Sequence, residues 1–196
     1  MANRAAGMGG SARSRPRPPR QAPSDFVVQI EIQSTRDDHR IAWLAALAIA
    51  IHVLESGLPM LVPGVKPGLA NVITVAVLLQ YGWRMAVWVS LLRVLVGSLV
   101  LGTFLSPTFA LSLGGAIAAV LALGLGQLLP GRGFGPVGYS VLAATAHMAM
   151  QFALAYILFV RHEAILVLLP VLMSFAVLSG IVNGIIAGAM LKRIAS

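Results

Sequence analysis

Pro63-Gly64-Val65-Lys66-Pro67-Gly68-Leu69-Ala70-Asn71 is the stretch on which the reading of this chain turns. Two prolines and two glycines this close together cannot continue a helix. Yet apolar sequence lies on both sides, and the break itself carries a lysine and an asparagine. Irregular backbone near membrane depth is tolerated only where protein buries it or a cavity wets it. A fixed cation beside such a break points toward binding or transport of a solute rather than plain anchoring.

The flanks set the class. The chain has 196 residues, 58% of them hydrophobic and 10% charged, against roughly 25% charged in soluble domains. Long apolar stretches with so little charge predict an integral membrane protein in contact with lipid. The net charge of +8 does not indicate nucleic acid, because the excess is local. Arg4, Arg13, Arg15, Arg17 and Arg20 crowd the polar N-terminus, followed by Arg36 and Arg40, a pattern that retains a terminus in the cytoplasm. There is no cysteine, hence no disulfide and no thiolate chemistry.

Six apolar spans are predicted at about 41–61, 68–81, 85–104, 108–129, 137–160 and 164–191, giving an all-α membrane bundle with both termini on one side. The second is short for a helix crossing ~30 Å. With the N-terminus inside, Arg84, Arg132, Lys192 and Arg193 are also inside, while Lys66 and Arg161 are outside. This satisfies the positive-inside rule. The organisation is then a basic segment over 1–40, a membrane domain over 41–191 and a tail over 192–196. Residues 1–24, rich in Arg, Pro, Gly, Ser and Ala, read as disordered. The stretch 26–33 partly alternates apolar and polar residues and fits either a short strand or an interfacial segment.

Small residues recur every fourth position on three spans: Ala42, Ala46 and Ala50; Ala110, Gly114, Ala118, Ala122 and Gly126; Gly180, Gly184 and Gly188. Such faces let helix backbones approach closely. They serve either packing within the bundle or, on the first span, docking of a separate membrane partner.

A charge at the centre of a span costs roughly 2.5–3.5 kcal/mol on the insertion scale, so each needs a reason. The spans hold Glu55, Arg93, His52 and His147, with neutral Asn71, Gln127, Gln151 and Asn183. At about 1.5 Å per residue, Glu55 and Gln151 fall at similar heights, Arg93 and His147 lower, and Asn183 lower still. Lys66 and Asn71 would then stand at the mouth of an outward-facing cavity, with Arg93 and His147 at its floor. His147 and Gln151, four apart, share a helix face and either bond to a neighbouring helix or face a ligand. Glu55 either pairs with His52 or Arg93, couples protons or contacts solute. Asn183 is either glue between helices or a ligand contact.

Catalytic signatures are lacking: there is no nucleophile elbow, no phosphate-binding loop and no His-Glu-x-x-His. The adjacent acids Asp37 and Asp38 sit just before the first span, where they complement the helix dipole. The expectation is a non-enzymatic protein with no cofactor and no metal. Without an ATPase motif, active transport requires a partner or an ion gradient.

The break at 63–71 resembles the Gx transporter family. So do Leu91-Leu92-Arg93-Val94-Leu95-Val96-Gly97-Ser98, Gly102-Thr103-Phe104-Leu105-Ser106-Pro107, and Ala146-His147 followed by Gln151. The likeness covers about 41–191. That family is similar to the substrate-capturing subunits of energy-coupling factor vitamin transporters. The resemblance implies a six-helix bundle in the bacterial cytoplasmic membrane with an outward-facing pocket. It also implies a transmembrane coupling protein, docked through small residues of the first helix, and an ATPase. Its binding positions would be Lys66, Asn71, Arg93, His147, Gln151 and Glu55, for a vitamin- or cofactor-precursor-like solute. The family is also labelled component I of heptaprenyl diphosphate synthase. The aspartate-rich magnesium motifs of the prenyl synthase catalytic chain are missing here, which leaves an accessory role in prenyl diphosphate or quinone synthesis. A third alternative is a scaffold of a flavin-linked membrane redox complex.

Overall fold

The computed structural model describes residues 36–57, 68–128 and 134–195, which fall within one compact unit, Ser34–Ser196. The N-terminal readings over 1–24 and 26–33, the Pro63–Pro67 part of the break with Lys66, and the loop carrying Arg132 lie outside the described residues. Among those described, the elements are six helices and a short 3-10 segment, with no strand. They are α1 (Arg36–Ser56), α2 (Ala70–Tyr81), α3 (Trp83–Val100), α4 (Pro107–Leu128), α5 (Pro136–Leu158) and α6 (Leu169–Ala195). Five runs, all but α2, are long and apolar enough to cross a membrane. The chain is thus an all-helical, multi-pass membrane protein.

The helices begin and end where local chemistry dictates. α1 starts several residues before its apolar stretch, with Asp38 in its first turn, where a carboxylate suits the helix dipole. A single residue, Gly82, turns α2 into α3. Its φ of +89° is open to glycine and strained for other residues. Ser106 caps α4: its Oγ accepts from the Phe109 N–H at 3.3 Å, and Pro107 takes the first helical position, where its missing N–H is no loss. Before α6, the expected start at 164 is taken up by the 3-10 segment Glu163–Leu168, whose entry is capped by His162 Nδ1 accepting from Ala164 N at 3.2 Å.

α2 is the centre of the bundle. At twelve residues it is about 18 Å long, too short to span alone. It is mostly apolar, as expected of a helix largely enclosed by others, and every residue from Val72 to Leu78 is buried. It contacts α1, α3, α5 and α6. Its last turn meets the start of α1, where the Arg40 guanidinium stands 5.6 Å from the Tyr81 ring centroid. Around that half, Leu78, Val75, Met85, Val89, Leu123, Tyr139, Ala143 and Ala187 form one apolar core, with Ile41 and Met190 packed against it. The Trp83 indole N–H closes this end by donating to the Val120 carbonyl at 2.7 Å.

Two of the three small-residue faces are internal. On α6, a Cβ at Gly184 would lie 2.4 Å from the Val137 Cα, and one at Gly180 would lie 2.7 Å from the Val141 Cα. On α4, Gly114 and Gly126 receive Leu154, Leu142 and Tyr139 of α5. These contacts account for α5–α6 and α4–α5 being the most extensive pairs. The face of α1 is different. Ala42, Ala46 and Ala50 are exposed, together with Trp43, Leu47 and Leu54, while Ala45 and Ala48 turn inward.

Because the obstacle at position 184 is backbone, no rotamer change relieves it. Gly184→Ala is expected to destabilise the bundle by roughly 1–3 kcal/mol, the range for overpacking. Ala46→Leu, on an uncovered face, is expected to stay within about 0.5 kcal/mol of the parent. Thermal unfolding in detergent distinguishes the two.

Candidate functional site

The far half of the bundle, beyond the apolar core, is polar, and it is built on the resumption of the chain at Gly68. This residue has φ of +71°, a left-handed conformation natural to glycine. Its peptide lies among helices, where water cannot be relied on to satisfy it. Glu55 of α1 does so from one side: its Oε1 accepts from the N–H of Gly68 and, at 3.1 Å, of Leu69. These are free donors at the start of α2, and a carboxylate there is also favoured by the helix dipole. Asn183 of α6 does so from the other side, its Nδ2 donating to the Gly68 carbonyl at 3.1 Å. The same carbonyl accepts from Asn71 N at 2.8 Å. Both Glu55 and Asn183 are buried.

The network continues through Asn71. Its Oδ1 accepts from an Arg93 terminal nitrogen of α3 at 3.2 Å. Arg93 is only 5% exposed, and the Glu55 carboxylate attracts it through space. Arg93 in turn lies close enough to His147 of α5 to act on it electrostatically, as does His52 of α1. Each histidine is seated on a glycine of another helix. A Cβ at Gly115 would fall 2.8 Å from the His147 ring, and one at Gly97 would fall 3.1 Å from the His52 ring.

The expected residues therefore separate. Asn71, Arg93 and His147 come together. Glu55 joins them, with its Oε1 committed to the start of α2. Gln151 is half-buried one turn along α5 from His147 and stands apart from the hydrogen-bonded set. Lys66 lies outside the described residues. Asn183 is the largest departure. Counting 1.5 Å per residue along upright helices puts it well below Glu55, yet both bond to Gly68. Gly68 thus lies against the middle of α6. Gly97 and Gly115 are seats that the sequence reading did not single out. The available signal was a small residue on α3 and α4 in a bundle with two otherwise unexplained histidines.

Two buried atoms in this cluster have no hydrogen-bond partner among the described residues: Arg93 Nε and His147 Nδ1. Buried polar atoms are overwhelmingly paired, and an unpaired one costs about 1–3 kcal/mol. The arrangement thus offers nitrogen groups from two helices to an incoming partner.

Removing the Glu55 carboxylate leaves two backbone donors unmatched. Glu55→Ala is expected to lower stability by roughly 1–3 kcal/mol, whereas Glu55→Gln, which keeps an acceptor oxygen, loses less. With Asn183→Ala the effects should be non-additive, since both side chains hold one glycine. Unfolding midpoints of the two single variants and the double variant check this; simple additivity would mean that the two contacts act independently.

No curated protein and no solved structure matches the chain. A family model does: that of heptaprenyl diphosphate synthase component I, over residues 44–190. The match takes in α2 to α5 whole, most of α1 and α6 and every residue of the polar cluster, so the chain belongs to the heptaprenyl diphosphate synthase component I family.

Proposed function

We propose that this protein is the solute-binding subunit of a membrane transporter. It takes a small, vitamin- or cofactor-precursor-like solute from the outer side of a bacterial cytoplasmic membrane. It is not itself an enzyme; a transmembrane coupling protein and an ATPase supply movement. The observation that carries this reading is the buried polar cluster built around a broken helix: Glu55, Gly68, Asn71, Arg93, His147 and Asn183, drawn from α1, α2, α3, α5 and α6. A bundle that only had to anchor would gain nothing from burying an arginine at its centre, given its cost. Intramembrane ionisable groups of this kind mark solute or ion pathways by default.

Two further observations support the reading. The basic residues Arg40, Arg84, Lys192 and Arg193 belong to helix ends gathered around the apolar core. The rule that such residues stay inside then turns the polar half outward. The uncovered face of α1, with Ala42, Ala46 and Ala50 flanked by Trp43 and Leu47, suits close approach of a partner helix. A second reading, an accessory subunit in prenyl diphosphate synthesis, is favoured by the family's description as one component of a synthase. Both readings involve a second chain.

Mass spectrometry of small molecules retained by the purified protein tests the proposal, with Arg93→Ala as control. One compound kept by the parent and lost by the variant is the expected result. If correctly folded parent protein carries lipid alone, while purified prenyl synthase catalytic chain gains activity on its addition, the accessory reading replaces this one.

A further inference from the structure

Solute binding as proposed above leaves the recognised chemistry open, and the cluster narrows it. Two nitrogens, Arg93 Nε and His147 Nδ1, are buried without a partner among the described residues. The Arg93 nitrogen is always a donor, because guanidinium does not lose its proton in proteins. One terminal nitrogen of Arg93 is already engaged, bonded to Asn71 Oδ1 at 3.2 Å. Glu55 does not fill the vacancy, because its Oε1 is held by Gly68 and Leu69. What remains is the Nε of a planar cation, near a His147 ring nitrogen that itself feels Arg93 and His52.

We infer that the site recognises an anionic oxygen group, a carboxylate or a phosphate. One oxygen accepts from Arg93 Nε, and a second accepts from His147 Nδ1 when both ring nitrogens are protonated, the other one facing the Gly115 backbone. Charge-assisted pairs of this kind are the strong hydrogen bonds of buried sites, and guanidinium matches the flat, two-oxygen geometry of both groups. Gly115 is the positioning residue. Its lack of a side chain lets the His147 ring lie on α4, because a Cβ there would come within 2.8 Å of Cε1 and Nε2 and within 2.9 Å of Nδ1. Alanine at this position keeps every polar group of the site and moves one of them.

The chemistry is shared by a free solute and by a lipid headgroup, and the test separates them. The full chain, labelled with 15N-histidine, is placed in phosphatidylcholine nanodiscs and titrated with inorganic phosphate and, separately, acetate. One imidazole resonance, absent in His147→Gln, is expected to shift saturably with at least one anion. Arg93→Gln should weaken the response by roughly 10–100-fold, as loss of a charged hydrogen bond does. Gly115→Ala should weaken it while the protein stays folded by thermal unfolding. In phosphatidylglycerol nanodiscs, a His147 signal already shifted and insensitive to added phosphate assigns the anion to lipid; an unshifted, responsive signal assigns it to a free solute. Silent histidines in every lipid, or an unchanged response in Arg93→Gln, overturn the anion site. If an uncharged compound is nevertheless retained in the mass-spectrometric experiment, solute binding stands without it.

Discussion

An open peptide group at Gly68, held among apolar helices, is the constraint from which the rest of the polar half follows. Backbone N–H and C=O groups lose several kcal/mol when buried without partners. The N–H groups of Gly68 and Leu69 therefore need an acceptor, and Glu55 supplies it. The carbonyl is shared by Asn71 N and Asn183. Burying a carboxylate creates a second problem, met by the dipole of α2 and by the nearby cation of Arg93. Arg93 then needs its own acceptor, and Asn71, in the first turn of α2, provides it. One break in a helix thus recruits side chains from α1, α3 and α6.

The two halves of the bundle are built on different principles. Around Leu78, Val89, Leu123 and Tyr139 the contacts are apolar. Such packing is stiff, because close-packed interiors yield little to displacement. At the other end, directional bonds at a few positions hold α2 in place.

The small-residue faces show how one sequence pattern serves opposite ends. On α4 and α6 the glycines receive α5, and the pattern is spent inside the chain. On α1 the alanines face outward, so the same pattern stays available to a neighbour. Spacing shows that a face is flat. Which way it points depends on the neighbours of the helix, and α1 turns Ala45, Ala48 and Glu55 toward α2 and α3 instead.

Composition and periodicity by themselves determined the class, a multi-pass helical membrane protein with a short second helix, while the expected break over 63–71 overlaps α2 at Ala70 and Asn71 and for the most part lies outside the described residues. They did so because bilayer thickness and the conformational limits of proline and glycine act locally. They also marked Glu55, Asn71, Arg93 and His147, since each is a costly residue in an apolar stretch. Tertiary structure decided what each of them touches. Glu55 Oε1 meets the N–H groups at the start of α2, and Asn183 bonds the Gly68 carbonyl. Gly97 and Gly115 became seats for two histidines, and the α1 face was left uncovered. These outcomes depend on helix tilt and rotation. Those are set by packing among all six helices at once, a property that no single helix carries in its own sequence.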